Sequence, residues 1–214
     1  QDAGHVRVHL VDDRARRAGG REKYFFTFQG KTFIDRLIGT LQEVTDEIVV
    51  VARDPGQCER FNNLGEIRCI SDIRKDLGPI GGLHAGALAV HGDYLFVAAC
   101  DMPCIHPGVV RLLFDAAVGY DAAIPCWNAD MLEPLHAVYR RGALLDYLEE
   151  HESLSLRPMV RSLNTHYVCV EKIREIDPGL LTFTNINNLK DLESFDPSAE
   201  TGRDDAHGSG QESS

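Results

Sequence analysis

Long apolar runs are missing from this chain of 214 residues. No stretch approaches the length of a membrane-spanning helix. Net positive charge is missing as well. The 33 acidic residues outnumber the 22 Lys and Arg, leaving a formal charge of -11, which argues against a broad nucleic-acid surface. Cysteine is thinly used: six residues, spread through the chain and mostly in apolar surroundings. That pattern fits buried free thiols in a reducing cytoplasm better than a disulfide framework. Cys100, Cys104 and His106 lie close together, but no second pair with matching spacing completes a zinc set. There is one tryptophan, Trp127, and a lone aromatic beyond a strand either stacks on a ring or packs. No Ser-His or Cys-His nucleophile pair stands out, no repeat is visible, and no linker divides the chain. It opens on Gln1 rather than Met, and no signal-peptide pattern is visible.

What is present is ordinary in bulk and informative in detail. Hydrophobic residues make up 43% and charged residues 26%, the balance of a soluble globular domain with a real core. The stretch that organises the rest is Tyr94-Leu95-Phe96-Val97-Ala98-Ala99-Cys100-Asp101-Met102-Pro103. It is one buried strand in length and ends on a carboxylate, and Pro103 forces a turn. Ligands of open α/β sheets bind outside the carboxyl ends of the strands. Asp101 is therefore placed either to hold Mg²⁺, which shares its shell with substrate phosphates, or simply to cap the turn.

A first strand is expected at Val6 to Val11. After it comes Asp12-Asp13-Arg14-Ala15-Arg16-Arg17-Ala18-Gly19-Gly20-Arg21-Glu22-Lys23, a basic island in an acidic protein. Arg forks and a Lys point charge suit a polyphosphate, and Gly19-Gly20 permit close backbone approach. A solvated charged loop is the alternative. Helical spacing then marks Thr32 to Leu41. A buried strand comes next at Glu47 to Ala52, then a helix around Gln57 to Asn62, and a short strand at Ile67 to Ile70 with Asp72 just beyond. Gly78-Pro79-Ile80-Gly81-Gly82-Leu83 opens a small-residue helix, whose N-terminus lets a ligand lie close or is plain punctuation. His84 on it either touches phosphate or is structural.

Beyond Asp101, Val109 to Ala117 is helical and Ala122 to Cys126 strand-like. Glu133-Pro134-Leu135-His136-Ala137-Val138-Tyr139 lies within the segment Met131 to Tyr139. Helices are expected at Arg141 to Glu150 and Leu156 to Leu163, and a strand at Tyr167 to Val170. Phe183-Thr184-Asn185-Ile186-Asn187-Asn188 precedes a last helix, Leu189 to Phe195. Residues 1–195 read as one domain. Residues 196–214, rich in Asp, Glu, Gly and Ser, have almost nothing to bury and read as a disordered tail. Alternating strands and helices predict a three-layer αβα, mostly parallel, Rossmann-like sheet.

Four pieces, in this order, resemble the molybdenum cofactor guanylyltransferases, the MobA-like nucleotidyltransferases: Leu10 through Lys23; Asp72 with Gly78-Pro79-Ile80-Gly81-Gly82; Cys100-Asp101-Met102-Pro103; and Glu133 to Tyr139 with Phe183 to Asn187. The resemblance covers about Val6 to Phe195. It implies cytoplasmic transfer of GMP from GTP to the terminal phosphate of molybdopterin, with pyrophosphate released and Mg²⁺ as cofactor. By motif, Leu10-Val11-Asp12 would run under the nucleotide, Lys23 would contact its phosphates as a catalytic residue together with Asp101, and Arg17, Gly19 and Gly20 would belong to the same binding loop. Asp72 and Gly78 would contact the nucleotide, Asp101 would hold Mg²⁺, and Asn185 and Asn187 would face the pterin. Molybdopterin-donating and molybdoenzyme acceptor proteins are the implied partners; nucleic acid and membrane are not. The chemistry is in-line displacement at the α-phosphorus, which needs charge and alignment more than a protein acid or base.

This chain departs from the family at Asp12-Asp13, where the family has Gly-Gly, and at Ala18, where it has Met. Two carboxylates facing a triphosphate repel it. The alternatives are a related transferase, adding CMP to molybdopterin or GMP to a small phosphorylated acid, and a non-catalytic nucleotide-binding relative.

Overall fold

β-branched, continuously apolar runs become strands covered on both faces, and they set the frame of the molecule. The structure is a computed structural model, and it describes residues 7–11, 17–18, 21–22, 25, 27–28, 30–52, 54–61, 64–71, 78–152 and 155–185, with backbone alone for 7–11, 17–18, 21–22 and 28. In chain order the elements are β1 (Arg7–Val11), β2 (Arg17–Ala18), β3 (Arg21–Glu22), β4 (Thr27–Phe28), β5 (Lys31–Thr32), α1 (Phe33–Gln42), β6 (Glu47–Ala52), α2 (Pro55–Phe61), β7 (Arg68–Ser71), α3 (Gly78–Ala89), β8 (Tyr94–Ala99), α4 (Pro107–Ala117), β9 (Ala122–Asn128), β10 (Met131–Leu132), β11 (His136–Arg140), α5 (Arg141–Glu150), α6 (Leu156–Ser162), β12 (Thr165–Cys169) and α7 (Val170–Arg174). A 3₁₀ turn comes after them at Leu181–Phe183.

The main sheet runs β10-β9-β11-β8-β1-β6-β7, with β12 on the other side of β9. The pairs β1–β6, β1–β8, β6–β7 and β9–β12 are parallel. The pairs β8–β11, β9–β11 and β9–β10 are antiparallel. The predicted αβα, Rossmann-like sheet is thus parallel on the β1 side and mixed on the β9 side. The reason is local. The chain reverses at Asn128 to Met131, where Asn128 Oδ1 accepts from the Asp130 amide at 3.0 Å. It returns as β11 against β8 instead of crossing over through a helix.

Strand alternation divides the core. Ile48, Val50 and Ala52 of β6 and Phe96 and Ala98 of β8 face α1, α2, α4 and α7. Val49, Val51, Leu95 and Val97 face α3, α5 and α6. Helix α1 buries Phe33, Ile34, Leu37, Ile38 and Leu41. Thr32 caps it, its Oγ1 accepting from the Asp35 amide at 3.1 Å, a cap worth about 1 kcal/mol.

Most sequence-predicted boundaries agree within two residues. Packing corrects two of them. The β8 strand stops at Ala99, so Cys100 and Asp101 already lie in the turn. The expected strand Tyr167 to Val170 is β12, which begins at Thr165 and ends at Cys169. Val170 instead opens α7, where it and Ile173 are buried on one face. The last predicted helix, Leu189 to Phe195, and the predicted tail lie outside the described residues.

Candidate active site

The carboxyl ends of β1, β6, β7 and β8 share one edge of the sheet, because those strands are parallel. Antiparallel β11 starts at that same edge. At the centre, Leu10 pairs with Val50 and Ala98, and Val11 with Val51 and Ala99, so the last residues of β1 have neighbours on both sides. The turn after β8 closes with the Met102 amide donating to the Ala99 carbonyl at 3.3 Å. Asp101 and Met102 there are half-buried, and Pro103 is buried. On the other face α3 begins at this edge and runs back toward β8. Gly78 opens it at φ +59°, a left-handed backbone that a side chain adopts only at a cost. Gly81, Gly82 and His84 are buried along α3, whose far end is held by Arg141 Nε donating to the Ala87 carbonyl at 2.8 Å.

On the β11 side, sequence-distant motif pieces meet. The Ala99 amide donates to the Leu135 carbonyl at 3.2 Å. Asp101 and Glu133 each lie two residues beyond that bond. Trp127, near the end of β9, donates from Nε1 to Glu133 Oε1 at 2.9 Å, and its ring centroid is 5.7 Å from that of Phe183. Phe183 lies 4.9 Å from His136, and His136 lies 5.2 Å edge-on from Phe96. His136 Nε2 and Thr182 Oγ1 share a hydrogen bond of 3.1 Å. Thr182 is tied further by the His106 amide donating to its Oγ1 at 3.0 Å and by its own amide donating to Asp177 Oδ2 at 2.8 Å. The Leu181–Phe183 turn is thereby bolted to β11 and to the start of α4, and half-buried Thr184 and Asn185 come directly after it.

Burial sets the charge states here. It holds His136 neutral, with a pKa lowered from 6.5 to about 3. Burial also pushes the Glu133 carboxyl above its ordinary value, although the Trp127 N–H opposes the shift.

Of the residues named from sequence, Leu10, Val11, Gly78, Asp101 and Asn185 are described along this edge or its flank. For Arg17 only backbone is described, in β2, opposite Glu22 of β3. Asp12, Gly19, Gly20, Lys23, Asp72 and Asn187 lie outside the described residues. Among the described residues no three His, Cys, Asp or Glu side chains gather as a metal cage. A single strand-end carboxylate suits Mg²⁺, which keeps several waters and binds through one or two carboxylates plus phosphates. His106 is engaged as the cap of α4, its Nδ1 accepting from the Gly108 amide at 3.0 Å. Burial raises the Cys104 thiol. Sequence reasoning weighed Trp127 only as a stacker or a packer and missed its bond to Glu133. The signal was the conjunction of Trp127 with Glu133 six residues later across the β9–β10 reversal. No helix among the described residues is long and apolar enough to cross a membrane.

The model of the MobA-like NTP transferase domain matches residues 10–167. A probable molybdenum cofactor guanylyltransferase of Methanosarcina acetivorans is 42% identical over 198 residues, covering 88% of each chain. That of Methanosarcina mazei is 40% identical over 197 residues, with the same coverage. Among solved structures, molybdopterin-guanine dinucleotide biosynthesis protein A from Archaeoglobus fulgidus superposes with a TM-score of 0.72 at 32% identity. It covers 87% of this chain and 94% of its own. A nucleotidyl transferase from Methanothermobacter, at 20% identity and a TM-score of 0.68, shares the fold. With a family model over most of the described fold and such relatives along nearly their whole length, the chain belongs to the MobA-like NTP transferase family, together with the molybdenum cofactor guanylyltransferases.

Proposed function

We propose that this protein transfers GMP from GTP to the terminal phosphate of molybdopterin, releasing pyrophosphate, in the formation of molybdopterin guanine dinucleotide. The observation that carries the reading is the position of Asp101. It sits at the middle of the carboxyl edge, with β1 on one side and the Trp127–Glu133–Phe183 group on the other. A nucleotide on the β1 side and an acceptor on the β11 side would present their reacting phosphates to one carboxylate.

In this reading Leu10, Val11 and Asp12 run beneath the nucleotide, and Arg17, Gly19, Gly20 and Lys23 contact its phosphates. Asp72 and Gly78 contact the remainder of the nucleotide, and Asn185 and Asn187 hold the pterin. Asp101 would hold Mg²⁺, which when bound neutralises developing charge on the phosphates. The protein's own share is alignment. An acceptor phosphate oxygen attacks the α-phosphorus in line while pyrophosphate departs, and fixed cations stabilise the charge that spreads over the oxygens. Residues 1–195 form the transferase domain and 196–214 a tail. Action in the cytoplasm, with molybdopterin-donating or molybdoenzyme acceptor proteins as partners, completes the reading.

A second reading, a nucleotide-binding relative without catalysis, is favoured by Asp12-Asp13 in place of Gly-Gly. One assay separates the two. Purified protein is incubated with molybdopterin, Mg²⁺ and either GTP or CTP, and pyrophosphate release is measured with and without chelator. Mg²⁺-dependent release with GTP supports the transferase. Release with CTP alone reassigns the base, and nucleotide binding without release leaves the second reading.

A further inference from the structure

The Glu133 carboxylate follows the short strand β10 and lies beside Trp127. It is half-buried, and its one described side-chain partner is the neutral Trp127 N–H at 2.9 Å. No described cation lies within ion-pair distance of it. A carboxylate that is partly desolvated and under-partnered costs free energy unless a ligand completes its hydrogen bonding. Its surroundings say which ligand. Trp127 stands beside it, and the Phe183 ring lies 5.7 Å from the Trp127 ring at a tilt of 58°, an aromatic pair that suits a heteroaromatic ring. Among the described residues, Glu133 Oε1 accepts one bond from Trp127 with a second lone pair to spare, and Oε2 has no described donor.

We propose that Glu133 is a specificity-determining residue for the acceptor, its two carboxylate oxygens accepting the paired N–H donors of the 2-amino-4-oxopyrimidine edge of the pterin. Trp127 is a positioning residue, fixing the carboxylate through Oε1. The inference rests on the transferase reading above and adds to it the edge of the acceptor that is read and the residue that reads it. Guanine carries the same donor edge, so two sources of one chemistry must be told apart. Sheet order favours the pterin. Glu133 precedes β11 and Trp127 lies near the end of β9, on one side of Asp101, whereas β1, proposed to run beneath the nucleotide, lies on the other. The burial-raised pKa of Glu133 agrees with a carboxylate awaiting donors.

The test uses Glu133→Gln, which keeps an acceptor for Trp127 and replaces one carboxylate oxygen with an NH₂ donor. Trp127→Phe is the second variant, keeping a ring and deleting the N–H. Circular dichroism checks the fold of both. Equilibrium binding is measured by fluorescence for neopterin, which has the pterin edge and no phosphate, and by calorimetry for GTP. KM for molybdopterin is measured in the transfer assay. Losing a charge-assisted, two-point contact should weaken neopterin binding and raise KM for molybdopterin by about ten- to a hundredfold, with GTP affinity unchanged. Trp127→Phe should give a smaller shift in the same direction. An equal loss of GTP affinity assigns Glu133 to guanine and overturns the proposal. So does an unchanged KM for molybdopterin, or the absence of neopterin binding by the unaltered protein. Neopterin binding that depends on Glu133, in a protein that transfers no GMP, would overturn the transferase reading and leave this contact standing.

Discussion

At the residue scale the proposed site turns on a few charges, Asp101 foremost, which is held in the turn just past the end of β8. Asp101 lies two residues beyond the end of β8, so removing its charge should leave the sheet intact. Asp101→Ala is expected to lower transfer by a factor of about a hundred or more, the scale of losing one preorganised electrostatic contact, with the fold intact by circular dichroism. Near-normal Mg²⁺-dependent turnover in that variant would take Asp101 out of the mechanism. Asp12 and Asp13 set a second expectation, drawn from sequence. Two carboxylates near a triphosphate repel it and occupy neighbouring arginines, while a divalent ion bridging carboxylate and phosphate overrides both effects. The double change Asp12→Gly with Asp13→Gly should tighten GTP binding at low Mg²⁺ and converge with the original at high Mg²⁺. Weaker binding at every Mg²⁺ level would instead show that the aspartates contribute to the site.

At the scale of elements, the start of α4 links three segments. A Cβ built on Gly108 would meet Ile176 Cγ2 at 2.9 Å and the His106 ring at 3.1 Å. The same His106 caps α4 through Nδ1 and holds Thr182 through its amide. Gly108→Ala is therefore expected to destabilise the protein by about 1–3 kcal/mol, the usual cost of overpacking. It should also raise KM for molybdopterin, since the Thr182 turn leads into Asn185. Urea unfolding together with steady-state kinetics checks this; an unshifted midpoint would mean that Ile176 yields freely. Element boundaries themselves were largely legible. The α1 spacing, the β6 run and the α5 limits agree because burial period and element period coincide. The α7 helix was not legible, because five residues present too little period to distinguish Val170 in a helix from Val170 in a strand.

At the scale of the whole molecule, the fold carries a buried neutral histidine into its core. The pKa of His136 falls from 6.5 to about 3, so between those values the unfolded chain binds the proton and the folded chain does not. Its contribution is complete above about pH 6.5. Stability then falls as pH drops toward 3, by up to about 1.4 kcal/mol per pH unit for this one group. Glu133, raised in the fold, acts in the opposite sense. His136→Gln leaves Glu133 in place, so comparing the two proteins isolates the histidine. The variant is expected to show a shallower dependence of unfolding free energy on pH from 6.5 downward, whatever its absolute stability. Equal slopes would show that His136 takes up no proton on unfolding.

Local period in the chain was enough to specify the buried strands, the carboxylate Asp101 just past one of them, and most of the helices. The family was legible too, because the four motif pieces stand in order. Tertiary packing alone settled that β11 enters antiparallel between β8 and β9, which places Glu133 across from the Asp101 turn and brings Phe183 against Trp127 and His136. Hydrophobic alternation dictates which face of a strand is buried and leaves its neighbours open. Those neighbours are selected by non-local packing and hydrogen bonds such as His136 to Thr182, 46 residues apart, and a pattern read within one window contains neither partner's position.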